Sequence, residues 1–241
     1  MRKVFAASAA FILLCLGGAA VFAAQGKAKP CCGPDSAMVG EDADKTQVHL
    51  PVGKEVSVRL AGDPTTGWSW EVLDGAGSAF SVEEPLSYHP APKKPGVTGA
   101  GGEFATLLRA LSEGRALLRL VYRRPWEKDV AQARTFSVEL VAFAKTARLD
   151  EGADRGFVLV PKGAQLQLKL MVDDETLTQE MVRPKGPVAF VDSDFSPGEK
   201  PQHLYRFRAA KAGEDELRVR FRRDGPVSKV VRDYRVAVRV Y

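Results

Sequence analysis

The sequence predicts an all-β protein made of two tandem β-sandwich domains behind a cleaved signal peptide. Two features carry the fold class. Apolar residues alternate with polar ones in short segments bounded by Gly and Pro, as in Val56, Val58 and Leu60, in Leu118, Leu120 and Tyr122, and in Phe136, Val138 and Leu140. A period of two marks a half-buried strand, and no segment shows the longer period of a helix. The second feature is an internal repeat. VHLPVGKEVSVRL (48–60) aligns without gaps on VLVPKGAQLQLKL (158–170), and GRALLRLVYRR (114–124) matches GEDELRVRFRR (213–223). Each of the latter pair is followed by an alternating terminal strand, TFSVELVAF or DYRVAVRVY.

The repeat divides the chain. Residues 1–23 have a basic start (Arg2, Lys3), an apolar run, and small residues around Val21 and Ala23. That is the pattern of a secretory signal peptide, so the mature chain is expected in the periplasm or outside the cell, with no membrane insertion. Residues 24–45 read as a flexible tail without hydrophobic periodicity. The first sandwich is expected over 46–145 and the second over 154–241, joined by the polar segment KTARLDEGADRG (145–156). About a hundred residues per copy, short alternating strands and Gly/Pro turns are the features of an immunoglobulin-like sandwich. In the tail, Cys31 and Cys32 are adjacent. A bridge between neighbours closes only a strained ring and staples nothing, so they read as incidental, with an intermolecular bridge left open.

Composition excludes several function classes. With 45% hydrophobic and 27% charged residues the chain is globular, and its formal charge of +5 falls to about +3 once Arg2 and Lys3 leave with the leader. The basic residues alternate with apolar ones, as in Arg218, Arg220 and Arg222, which is the solvent face of a strand and not a nucleic-acid stripe. His49, His89 and His203 are scattered. They form no metal spacing and no catalytic triad, so neither an enzyme nor a bound cofactor is expected. His49 falls opposite the inward positions of its strand and is expected at the surface.

If the strands are scaffold, function belongs to the loops that a rigid sandwich presents. Three loops of the first domain stand apart. In AGDPTTG, Pro64 fixes its own φ and Gly67 allows a positive one, which holds Thr65 and Thr66 at a tip with hydroxyls and methyls facing outward. The segment HPAPKKPGVTGAGGEF ends in Gly99, Gly101 and Gly102. In RRPWEKD, Arg124, Pro125 and Trp126 follow directly from a strand. Trp68 and Trp70, at alternate positions after the first tip, share one face; Trp70 is expected in the core, and Trp68 as a brace for the loop.

The three loops, in this order, resemble the chagasin family of cysteine-peptidase inhibitors. The family pattern is Asn-Pro-Thr-Thr-Gly followed by an aromatic and a Trp, then Gly-x-Gly-Gly, then Arg-Pro-Trp or Arg-Pro-Phe. Here it reads DPTTGWSW (63–70), GAGG (99–102) and RPW (124–126). Asp63 stands where Asn is usual, which keeps the turn-capping oxygen and adds a charge. The resemblance covers about a hundred residues and implies a wedge of three loops that enters the cleft of a papain-like cysteine peptidase without covalent chemistry. It places Asp63, Pro64, Thr65, Thr66 and Gly67 in that wedge, with the two threonines toward the catalytic Cys and His of the target. Gly99, Gly101 and Gly102 would lie along the cleft, and Arg124, Pro125 and Trp126 against its far side.

The second domain lacks these motifs. The gap-free alignment sets DETL (174–177) against PTTG, with Thr176 opposite Thr66, no Gly-x-Gly-Gly precedes HLYRFRAAKAG, and RPW has become RDG (223–225). Only the first domain is therefore expected to inhibit. The rival reading is a non-inhibitory extracellular Ig-like binding or adhesion module that uses exposed aromatics.

Overall fold

The computed structural model describes residues 33, 35–75, 77–92, 101–127, 134–174, 176–223 and 228–241. The expected leader, both tail cysteines and Gly99 lie outside these. The described residues form sixteen strands and three short 3-10 turns. In the first half these are β1 (Ala37–Val39), β2 (Thr46–Pro51), β3 (Glu55–Gly62), β4 (Ser69–Asp74), β5 (Phe80–Pro90), β6 (Gly102–Ala110), β7 (Gly114–Arg123) and β8 (Arg134–Phe143). In the second they are β9 (Thr146–Leu149), β10 (Phe157–Val160), β11 (Gln165–Met171), β12 (Leu177–Val182), β13 (Val188–Ser196), β14 (Gln202–Ala209), β15 (Gly213–Arg223) and β16 (Lys229–Val240).

These strands build three sheets. One has the order β1-β3-β6-β5, another β13-β14-β11-β9, and the third runs β12-β15-β16-β10-β2-β8-β7-β4 through both halves. The halves are thus joined by a continuous eight-stranded sheet, closed at its centre by a parallel pair in which Phe157 and Val158 face Val48 and His49. Paired residues point to one side of a sheet and neighbours to opposite sides. Along β10, Val158 and Val160 enter the second core, whereas Phe157 and Leu159 pack on the first. The two four-stranded sheets accordingly cover opposite faces of the long one. Tyr241 packs against the first core as well, with the Lys54 ammonium 4.6 Å from its ring centroid.

This arrangement corrects the expectation for His49. The residue is fully buried. Alternation did set it opposite Val48 and Leu50, but in the middle of the long sheet the opposite face is covered by the second half, so every residue of β2 is buried. Burial pushes the imidazole down to about 4, with Arg115 reinforcing the shift and Asp150 opposing it. Gln47 fixes the tautomer. Its amide nitrogen donates to Glu139 at 2.8 Å, which leaves its oxygen as acceptor for His49 Nε2 at 3.0 Å. Nδ1 therefore carries the bare lone pair, and it has no partner.

The boundaries also differ from those expected. β1 pairs with β3 inside the stretch read as tail, and Ala37, Val39 and Ala43 are buried. β9 and the turn Glu151–Ala153 occupy the stretch read as a linker, with Ala147, Leu149 and Ala153 buried. Strands of three or four residues are too short to register a period. A different signal was present: AMVGEDADK (37–45) lies opposite ARLDEGADR (147–155) at the same spacing of 110 that relates Val48 to Val158. Its contacts recur. Asp44 Oδ1 accepts from Ser137 N at 2.8 Å and Asp154 Oδ1 from Arg235 N at 3.0 Å. Lys45 and Arg155 share a left-handed backbone, with φ of 61° and 59°.

Candidate functional site

At the end of the first half where β8 begins, the described parts of the three singled-out loops come together. The first is a single 3-10 turn, Pro64–Thr66, capped by Asp63 and closed by Gly67 at φ 82°. Asp63 Oδ1 accepts from Thr65 N at 3.0 Å and from Thr65 Oγ1 at 2.6 Å, while Thr66 Oγ1 donates to the Asp63 carbonyl at 2.7 Å. An Asx-type cap of this kind is what Asp followed by Pro encodes. Both threonines are exposed, and both hydroxyl protons are committed within the turn. What the tip offers a partner is acceptor lone pairs and methyl groups.

The turn is anchored from below by aromatic rings. Asp63 N donates to the Tyr122 hydroxyl at 3.0 Å. The Tyr122 ring lies between Trp68, stacked at 5.6 Å, and Trp70 at 5.2 Å. Trp70 is buried, and its indole N–H donates to the Ala61 carbonyl at 3.1 Å. Guanidinium groups close the stack, Arg124 at 5.3 Å from Trp68 and Arg134 at 4.5 Å from Tyr122. Tyr122 and Arg134 are the positioning residues that motif reading missed. Their signal was register: Tyr122 pairs with Trp70 on one side and with Arg134 on the other.

The second loop joins the first through the pairing of Gly102 with Gly62 at the start of β6, and Gly101 accepts from Ala91 N at 3.1 Å. The third loop joins at Gly67. A side chain there would place its Cβ 2.5 Å from Trp126 Cη2, so the missing side chain is needed twice, for the positive φ and for the indole that lies over it. Trp126 is otherwise 66% exposed. Arg124 pairs with Glu127 at 2.9 Å, which squares off the turn that carries Pro125 and Trp126. Among the described residues no group of His, Cys, Asp or Glu could hold a metal ion.

Known proteins place this arrangement. A family model described as "Chagasin family peptidase inhibitor I42" matches residues 49–140. Amoebiasin-1 of Entamoeba histolytica is 34% identical over 100 residues, 42% of this chain and 93% of the relative. The chain belongs to the chagasin family. Chagasin itself, from Trypanosoma cruzi, is 32% identical over 98 residues, 39% of this chain and 86% of its own length. The crystal structure of the cysteine protease inhibitor EhICP2 from Entamoeba histolytica covers 45% of this chain and 96% of its own at 23% identity, with a TM-score of 0.41. The family consists of peptidase inhibitors, not enzymes. Its match ends within β8, so the chagasin-family part of the chain carries all three loops and the second half lies beyond it.

Within the second half, the corresponding loop end is built differently. Gln179 takes the place of Trp70: it pairs with Phe221 as Trp70 pairs with Tyr122, and its Nε2 donates to the Met171 carbonyl at 3.0 Å as the indole does to Ala61. Asp174 Oδ1 accepts from Thr176 N at 2.9 Å and Thr176 Oγ1 at 2.6 Å. By these bonds Thr176 corresponds to Thr65, not to Thr66 as the gap-free alignment set it. The stretch from Met171 to Gln179 is one residue shorter than that from Ala61 to Trp70, and sequence alignment without gaps cannot follow such a change.

Proposed function

We propose that the chain inhibits papain-like cysteine peptidases by lodging the loop end of its first half in the active-site cleft. The observation that carries this reading is the locking of the three loops to one another, by the Gly62–Gly102 pair and by Trp126 over Gly67. A rigid tip loses little conformational entropy on docking. Thr65 and Thr66 present acceptor oxygens and compact β-branched side chains to the catalytic Cys and His of the target. Gly101 leaves the backbone approachable along the cleft, Gly102 lets the chain pass close to the His89 carbonyl and the Tyr88 ring as it enters the sheet, and exposed Trp126 supplies an aromatic anchor at the far side. The tip is a 3-10 turn closed by a left-handed glycine, so it does not present the extended backbone of a substrate. Inhibition needs no nucleophile in the inhibitor and leaves it intact. A standard interface of roughly 800 Å² per partner accommodates these loops.

The recurring contacts in the second half support its reading as a tandem copy that has lost the inhibitory loops. The leader-like residues 1–23 support export to the periplasm or beyond. The test is a titration of papain with the full-length chain. Stoichiometric inhibition is expected, and Thr66→Arg should weaken it at least a hundredfold while the melting temperature stays within a few degrees. Papain that remains fully active in the presence of excess inhibitor overturns the reading. The full chain is required because Phe157, Leu159 and Tyr241 complete the first core.

A further inference from the structure

We propose that the hollow between β9 and the side of β7 and β8 that faces away from the first core is a binding site for hydrogen phosphate, with His49 in its floor. The hollow has a volume of about 260 Å³. Its walls come from both halves: Arg115 from β7, Val141 and Phe143 from β8 and His49 from β2 on one side, Thr146 and Arg148 from β9 on the other. Val141 stands seven residues along β8 from Arg134, about 23 Å at the rise of a strand. The site is therefore separate from the inhibitory loops, and the inference does not depend on the inhibitory reading.

Three polar groups in this hollow have no partner among the described residues. The first is His49 Nδ1, which is buried. Nε2 donates to Gln47 Oε1, because the Gln47 amide nitrogen is committed to Glu139, so Nδ1 is a bare acceptor. The two ring nitrogens point nearly opposite ways. Nδ1 thus faces away from Gln47, toward the end of β2 where Pro51 pairs with Phe143. The other two groups are the Thr146 hydroxyl and the exposed Arg148 guanidinium. The remaining charges in the wall are already engaged: Arg115 pairs with Glu139 at 3.1 Å and with Asp150 at 3.0 Å, and Glu113 accepts from Ala144 N at 2.8 Å. Packing alone does not call for an imidazole here, since the counterpart of His49 at the repeat spacing of 110 is Leu159.

These groups specify their ligand. A bare acceptor in the floor asks for a donor, and a buried polar group without one is costly. An imidazole nitrogen is also a ready metal ligand, but two guanidinium groups in the wall disfavour a cation and favour an oxyanion. An anion that carries an O–H meets both demands. Hydrogen phosphate keeps an O–H at neutral pH, whereas sulfate has none. Its O–H donates to His49 Nδ1, and its other oxygens accept from Thr146 Oγ1 and from Arg148. Burial keeps the imidazole neutral at pH 7, so the acceptor persists there. A site built around such a hydrogen bond rejects an analogue that lacks it. Because the ligand touches β2 and β9, it ties the two halves together.

The experiment titrates full-length wild type, Arg148→Ala and His49→Leu with sodium phosphate and with sodium sulfate at pH 7 and constant ionic strength, following the melting temperature. A ligand that binds only the folded chain raises it in proportion to its affinity. Phosphate is expected to stabilise wild type at concentrations at least tenfold lower than sulfate does. Arg148→Ala should weaken the response to phosphate at least tenfold, and His49→Leu should respond to the two anions alike, within threefold. An equal response of wild type to both anions marks a general salt effect, an adventitious ion only, and overturns the inference. No response to either leaves the hollow to water and overturns it as well. If His49→Leu does not fold, the phosphate preference of wild type and its loss in Arg148→Ala decide. Papain titration is a separate readout: failure of inhibition leaves this site standing, and failure here leaves the inhibitory reading standing.

Discussion

The two halves solve one packing problem with opposite choices. Beneath the first loop end the sheets carry a large residue on β4, Trp70, and a small one on β6, Thr106, and both are buried. Beneath the second, the corresponding residues are Gln179 and Tyr205, and the Tyr205 hydroxyl donates to Gln179 Oε1 at 3.2 Å. Bulk has moved from one sheet to the other while the same carbonyl, Ala61 or Met171, keeps its side-chain donor. The exchange has a functional consequence. A Trp at this position stacks with Tyr122 and, through it, fixes Asp63 and the threonine tip. With Gln there, Phe221 in place of Tyr122 has no hydroxyl to hold the loop, and the turn rests on its own cap, on the Arg223–Asp174 pair at 3.3 Å and on the Val172–Pro201 backbone bond. A sandwich core can be refilled in several ways, but only one of them supports this particular loop.

The comparison breaks most sharply at its central pair. Trp70→Gln alone should cost about 3–5 kcal/mol, because it removes a buried ring and leaves a cavity. Adding Thr106→Tyr should restore more than 1 kcal/mol of that, since the pair then reproduces the second half. Chemical denaturation of the single and double variants forms a double-mutant cycle. Additive losses would show that the two positions are not the exchange described.

The next effect concerns the seam. His49 corresponds at the repeat spacing to Leu159, and both are buried. His49 is held neutral in the fold down to about 4, whereas in the unfolded chain it takes up its proton near the ordinary imidazole value of 6.5. Stability is therefore fully present above pH 6.5 and is lost as the pH falls from there to about 4, by roughly 3 kcal/mol. Between those limits the unfolded state binds the extra proton, so acid favours unfolding. His49→Leu, which makes the seam alike in both halves, should remove that part of the pH dependence. Denaturation midpoints at pH 7 and pH 4.5 measure it; an unchanged slope in the variant would rule His49 out as the acid-sensitive group.

The smallest expected change in stability sharpens the contrast between the loop ends. Gly67→Ala should cost about 1–2 kcal/mol for the left-handed backbone, and the new methyl must displace Trp126. Inhibition of papain should fall at least tenfold, more than the modest drop in melting temperature would suggest. Full inhibition by Gly67→Ala would show that the contact between the first and third loops is not needed.

Much of the fold was legible because its signals are local. Val56, Val58 and Leu60 alternate, and they are buried in β3; the period depends only on which face each residue takes. The loop motifs were legible for the same reason: Asp-Pro-Thr-Thr-Gly encodes its own cap and its own positive φ within five residues. The bracing of that loop was not, because Tyr122 and Arg134 reach it through strand register across the sheet.

By itself, then, the sequence determined the longer alternating strands, the repeat at a spacing of 110 and the three ordered motifs that identify the family. The tertiary structure decided how the halves meet. Whether β2 and β10 pair across the centre of one sheet depends on edge hydrogen bonds that every strand has available, and no residue type encodes that choice. From that pairing follow the burial of His49, the entry of Phe157, Leu159 and Tyr241 into the first core, and the two loop ends at one end of a common sheet. Period-two alternation tells one face of a strand from the other; it does not tell whether the second face meets water or another part of the chain.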